Sequence, residues 1–219
     1  MKLRYFGLTI DARSFPQEQS NAFAFAGRYI CNYLQREVRR LKLEAGPFNT
    51  ISVVGSRGPQ WPCELVPEDS LEVYVPFEPA EYALLSSLER HGYRIRMLQD
   101  GFRRAQNAFP VHCEVLLHQL DIFRKNDYRN EWVQKKKKLP EVGMSAWLHC
   151  SLTPDAFELR LELRRGRKVV LNVLALTCLP DELIFRVYTG DVRVKGEQIV
   201  IIDDFGKTVF ALDIEDVVD

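Results

Sequence analysis

The chain lacks the short motifs that mark most familiar chemistries. It has no Gly-x-x-x-x-Gly-Lys and no Gly-x-Gly-x-x-Gly, so the backbone cradles that grip nucleotide phosphates are missing. It has no Cys-x-x-Cys either. The five cysteines, Cys31, Cys63, Cys113, Cys150 and Cys178, are odd in number and widely spaced. That excludes a fully paired disulfide framework and points to free thiols in a reducing compartment. No apolar run approaches the ~20 residues of a membrane span. Met1–Ile10 lacks the basic patch and apolar core of a signal peptide. These absences together predict a cytoplasmic protein with no membrane contact.

Net charge is missing as well. Thirty basic side chains balance thirty acidic ones. The balance is uneven along the chain, with 21 basic and 16 acidic residues in 1–140 against 9 and 14 in 141–219. Halves of opposite sign suit a charged partner or each other. At 219 residues, 46% hydrophobic and 27% charged, the chain has the make-up of a globular protein. A core this size needs no covalent staples.

What is present is strand patterning. Phe157, Leu159, Leu161 and Leu163 alternate with Glu158, Arg160, Glu162 and Arg164, which gives one apolar and one charged face. Val169–Leu176 is apolar at nearly every position, as a strand covered on both faces would be. With strands at Leu183–Thr189, Val192–Lys195, Ile199–Ile202 and Thr208–Ile214, and turns at Gly190, Gly196 and Gly206, Ser145–Ile214 reads as one antiparallel meander.

The N-terminal part is richer in helix. Strands are expected at Leu3–Ile10, Thr50–Gly55 and Leu71–Val75, with Asp11–Asn21 a loop. Phe23, Ala26, Ile30, Leu34, Val38 and Leu41 trace the stripe of a helix over Ala22–Glu44, capped by Ser20 or Asn21 and stopped at Gly46-Pro47. A second helix opens at Pro79, turns Tyr82, Leu85 and Leu88 inward and closes at Gly92. Tyr93–Phe109 alternates like a strand with a turn at Asp100-Gly101, and Phe102–Ala108 also suits a helical turn. Pro110–Asn126 suits a helix. Lys135–Lys138, followed by Pro140 and Gly143, reads as a solvated hinge. The expected fold is α+β, a helix-rich N-terminal part packed on a mainly antiparallel C-terminal β-meander. It forms one domain over 1–219, with a subdivision into 1–140 and 141–219.

Candidate chemistry is sparse. Asp204-Phe205-Gly206 spells a kinase magnesium tripeptide, but no Gly-rich or His-Arg-Asp loop precedes it, so it reads as a hairpin turn. His112-Cys113 and His149-Cys150 are adjacent pairs, and neighbours on a strand point to opposite faces, which disfavours a shared metal. Glu114, His118 and Asp121 share a helix face, as an acid–base cluster or as an ordinary polar stripe. No catalytic, cofactor or metal residue is assigned, and no cofactor is expected. Five surface features stand as contact candidates. They are Trp61 in a loop, the arginine face Arg28, Arg36, Arg39 and Arg40, Trp132, the run Lys135, Lys136, Lys137 and Lys138, and an acidic end. That end holds Asp203, Asp204, Asp213, Glu215, Asp216 and Asp219. An acidic cluster can engage a basic partner, or it can simply protect a sheet edge.

Asn130-Glu131-Trp132-Val133 with Lys135–Lys137, then Phe157, Pro180-Asp181-Glu182 and Phe210-x-Leu212-Asp213, resembles immunity proteins of bacterial polymorphic or contact-dependent toxin systems. The likeness covers the C-terminal part and carries over no contact residue. It implies a non-enzymatic, cytosolic protein that binds and neutralises a cognate toxin. The competing expectation is a nucleic-acid-binding or regulatory protein that uses Arg36, Arg39, Arg40 and Lys135–Lys138.

Overall fold

The computed structural model describes residues 1–57, 63–67 and 69–218, so the contact candidates Trp61 and Asp219 lie outside the described residues. The chain falls into two units, Met1–Tyr128 and Arg129–Asp219, dividing ahead of the lysine run rather than after it. The fold class is α+β. The long helices belong to the first unit, and antiparallel sheets fill the second.

The first unit opens with β1 (Tyr5–Ile10) and α1 (Gln17–Leu41). It continues through β2 (Thr50–Ser56), β3 (Cys63–Val66), β4 (Ser70–Pro76) and α2 (Pro79–Leu84), and closes with α3 (Ser87–Ala108) and α4 (Cys113–Lys125). Its sheet runs β1-β2-β4-β3, with β1, β2 and β4 parallel and β3 antiparallel at the edge. Period-2 patterning sends Phe6, Leu8, Ile10, Ile51, Val53, Leu71 and Val73 to one buried face. Both long helices press on that face, Gly27 of α1 over Leu8 and Gly101 of α3 over Val53.

Three helix readings change. α1 starts five residues early because Pro16 occupies its N-cap, and Ser20 lies buried inside it. Tyr93–Ala108 is helix throughout, with Gly92 and Gly101 inside α3 and Phe109 its extended C-cap. Ser86 and Glu89 form a capping box at its start, and Leu98, Phe102 and Ala105 make its buried stripe, so i, i+4 and i+7 spacing beats the Arg-Ile-Arg-Met alternation. Leu88 does not turn inward, since α2 ends at Leu84 and leaves Leu88 68% exposed.

The second unit opens with β5 (Glu131–Leu139), which holds the whole lysine run. A 3-10 turn at Pro140–Val142 leads to β6 (Met144–Leu152), β7 (Phe157–Arg165) and β8 (Lys168–Cys178), paired antiparallel in the order β5-β6-β7-β8. Next come α5 (Glu182–Phe185) and a 3-10 turn at Arg186–Thr189. The chain ends with β9 (Asp191–Lys195), β10 (Gln198–Ile202), β11 (Thr208–Asp213) and α6 (Glu215–Val218). β9, β10 and β11 form a separate antiparallel sheet, ordered β11-β10-β9.

The expected single meander is therefore two sheets. The segment Leu183–Thr189, read as a strand, is helical because Asp181 caps it by accepting the Leu183 N–H. The expected hinge is a strand, since alternating lysines have two faces to occupy. Val169–Leu176 is not covered on both faces. It lies in edge strand β8, with Val169 44% and Leu174 42% exposed. Register shifts after Leu159 and Leu163 of β7 mark bulges that bend this edge, one of the ways natural sheets discourage further pairing. All five cysteines are free, and Cys31, Cys113 and Cys150 are buried.

Candidate functional site

The strand register sorts the lysine run. Lys135 and Lys137 pair with Leu148 and Ala146, which belong to the buried face of β6, while Lys136 and Lys138 pair with Trp147 and Ser145 on the other face. A register shift between Val133 and Lys135 sets this phase. On the inner side, Lys137 donates to Asp191 at 2.7 Å, and Lys135 donates to the Gly190 carbonyl and lies 3.4 Å from Asp191. Arg193 adds a third cation at 3.1 Å. Burial works against ionisation of Asp191. The hydrogen bonds from Lys137, Arg193 and the Val192 N–H, with the charge of Lys135, outweigh it and hold the carboxyl well below the ordinary carboxylate range.

A lowered folded-state value stabilises the fold above the unfolded value near 3.8 and loses that contribution as pH falls below it. Asp191→Asn is therefore expected to cost about 1–2 kcal/mol at neutral pH, nearer the exposed-pair than the buried-pair limit. Urea melts at pH 7 and pH 3 check this, since the gap between variant and parent should narrow in acid.

Beside Asp191 lies a groove of about 750 Å³ on the β9–β11 sheet, lined by Arg193, Lys195, Ile202 and Thr208 and closed by the Asp204–Gly206 turn. The Asp-Phe-Gly tripeptide is indeed a hairpin tip, with Gly206 at φ 82°. Asp203 is 9% exposed, and its Oδ1 accepts the Phe205 and Lys207 N–H groups at 2.9 and 2.8 Å. It builds the turn rather than offering charge. The Asp204 N–H donates to the Val187 carbonyl at 2.9 Å, tying the hairpin to the segment after α5. What this scaffold presents is Phe205, 84% exposed, with the Asp204 side chain beside it. Leu179, ahead of α5, and Leu183, within it, are exposed at 63% and 84%.

The structure thus gathers Lys135, Lys137, Asp203 and Asp204 around Gly190 and Asp191. The other candidates lie apart from them. Trp132 is half-buried, its ring 6.2 Å from Phe157 and 6.5 Å from Phe185, and its indole N–H donates to Gln134 at 2.8 Å. Asp213 accepts from Gln198 at 2.8 Å. Glu215 and Asp216 are exposed on α6. Sequence reasoning missed Phe205, Leu179 and Leu183. For Phe205 the signal was available, since a large apolar residue in a tight turn has no core to enter.

The outer face of the four-stranded sheet carries a second constellation. Lys136 Nζ lies 3.7 Å and Arg164 Cζ 3.9 Å from the Trp147 ring centre. His149 stacks beside that indole at 6.1 Å. Glu162, 7% exposed, accepts from Arg164 and lies 3.5 Å from His149. Burial opposes its ionisation, but Arg164 and His149 hold its carboxyl below the ordinary value.

In the first unit a hydrogen-bonded chain runs from the carboxyl end of β1. Asp11 accepts from Arg13 and Ser14, Arg13 donates to the Tyr74 hydroxyl at 3.0 Å, and Tyr74 donates to Glu72 at 2.6 Å. Burial and the Glu72 carboxylate push the Tyr74 hydroxyl up to about 12. This is the end where open parallel sheets carry ligands. The sequence-stretch candidates elsewhere are more ordinary. Glu114 and His118 are exposed, and Asp121 pairs with Arg124 at 3.0 Å, one helix turn on. On the basic face of α1, Arg28 covers Phe25, Arg39 covers Tyr5, and Arg40 pairs with Glu37.

Among the described residues no group of three His, Cys, Asp or Glu is set to hold a metal, and no helix is long and apolar enough to cross a membrane. No family model, curated protein or solved structure matches the chain.

Proposed function

We propose that the protein is a protein-binding module that neutralises a cognate bacterial toxin, with the Phe205 hairpin as its anchor. The observation that carries this reading is a bare aromatic on a fixed support. Phe205 is 84% exposed, yet its turn is held by two hydrogen bonds to Asp203 and one to Val187. A side chain presented in advance loses little conformational freedom on docking. Aromatic anchors in a water-excluding surround dominate binding energy at such surfaces. Asp204 supplies charge at the rim. A stable inhibitor contact covers about 1,200–2,000 Å² in total, more than the hairpin alone, so the groove beside Asp191 belongs to the same footprint. The toxin as partner comes from the likeness of the C-terminal part to immunity proteins.

The test is rescue of growth when the toxin encoded beside this gene is expressed. The parent chain should rescue. Phe205→Ala should weaken binding by about 30-fold or more, equivalent to about 2 kcal/mol, while its melting curve stays unchanged. Failure of the parent chain to rescue, or full activity of Phe205→Ala in a titrated inhibition assay, overturns the reading.

A further inference from the structure

The outer face of the four-stranded sheet is a surface that nothing in the toxin reading uses. Lys138 of β5 pairs with Ser145, and Ser145 pairs with Arg164, so Lys138 and Arg164 flank the same rung of the sheet. Arg164 runs directly into the β7–β8 turn, whose residues are Arg165, Gly166, Arg167 and Lys168. With Lys136, two residues back along β5, six cations meet at one end of the sheet, drawn from stretches of sequence more than twenty residues apart. Lys136, Lys138, Arg165, Arg167 and Lys168 are all exposed. Among the described residues none of these five has a carboxylate within ion-pair distance. The acids at this end are Glu162, already committed to Arg164 and His149, and Glu141 in the turn after β5.

In the middle of the cations stands Trp147, half-exposed, with Lys136 and Arg164 against its ring. We infer that this end of the sheet binds single-stranded nucleic acid, the phosphates drawing Lys136 and Arg164 off the ring they cover and a base taking the indole face of Trp147 so uncovered. Charge alone would suit any polyanion, and the aromatic decides between them. An acidic protein surface gives an indole nothing to stack on, and a duplex keeps its base faces hidden, whereas a single strand offers a phosphate and a base face together. Lys136 and Lys138 lie two residues apart on one strand face, roughly 7 Å, which sets successive cations along an extended backbone. Lys135 and Lys137, which the sequence grouped with them, face Asp191 and take no part.

The full-length protein is titrated into a labelled oligothymidylate of about 20 nucleotides, read by anisotropy, between about 50 and 200 mM salt. Binding is expected at low salt, weakening steeply as salt rises, with the logarithmic slope growing by about 0.7 for each phosphate neutralised. The R165E/R167E/K168E variant should lose about tenfold or more in affinity and reduce that slope by about 2. It should still rescue against the toxin, because the Phe205 surface is intact, so the two readings fail separately. Indole fluorescence should be quenched by the strand in the parent chain, and the quench should shrink in Trp147→Phe. No binding at the lowest salt, unchanged affinity in the triple variant, or equal affinity for the matching duplex would each overturn the inference. Equal competition by polyglutamate would also overturn it, and would assign the surface to an acidic protein.

Discussion

Phe157→Ala is expected to destabilise the second unit by about 3–5 kcal/mol, the usual cost of removing a buried aromatic ring. Phe157 is fully buried and stacks on Phe185 at 4.1 Å with ring planes 7° apart. That stack is where α5 seats its single buried residue, and Trp132 of β5 closes the cluster from the side. Domains of this size hold about 5–15 kcal/mol in all, so the loss is a large share of the total. The effect should reach function as well. α5 leads into the segment whose Val187 carbonyl receives the Asp204 N–H. Loosening α5 should free the hairpin before the strands separate. Hydrogen exchange on Asp204, Phe205 and Lys207 would report this as faster opening in the variant, while urea melts give the global cost. Phe157→Leu keeps most of the volume and should recover more than half of the loss.

Gly101→Val should be nearly as damaging in the first unit, while Gly92→Ala in the same helix should help. A Cβ on Gly101 would meet Val53 Cγ2 at 2.4 Å and Cγ1 at 2.9 Å, and Val53 is fully buried in β2. Neither α3 nor the strand can yield without moving its other contacts, so overpacking of about 1–3 kcal/mol or more follows. At Gly92 the nearest atom to an added Cβ is the tip of Arg96 at 3.7 Å, ordinary contact with a flexible side chain. Alanine there removes the conformational cost of a mid-helix glycine, a gain of about 0.5–1 kcal/mol. Thermal melts of the two variants should shift in opposite directions. If both fell, the close approach of α3 to β2 would not be the cause.

The same pair of glycines shows why parts of the fold were readable and parts were not. Alternation at Phe157–Leu163 and the stripe through Ile30, Leu34 and Val38 are local patterns, and the chain obeys them. Gly92 and Gly101 read as a stop and a turn because glycine is expensive in an isolated helix. Here burial of Leu98, Phe102 and Ala105 outweighs that cost, and burial is set by strands distant in sequence. The parallel pairing of β1, β2 and β4 left no mark either, since three short apolar runs pair equally well in either direction on paper. The candidate site had a similar fate. The acidic and lysine stretches were visible as composition, but only the pairing of β5 with β6 separates Lys135 and Lys137 from Lys136 and Lys138. The meeting of Lys138 with the Arg165–Lys168 turn depends on three successive hairpins, and no local window contains all of them.

The irregularity at Gln134 governs more than its own neighbourhood. It fixes which lysines are odd and which are even, so the run cannot change length by a single residue and keep its meaning. One lysine too few would carry an ammonium away from Asp191 and bring a bare backbone step to the indole, spoiling stability and surface in one event. Lineages that gain or lose residues here should do so in twos, or should move the kink along with them.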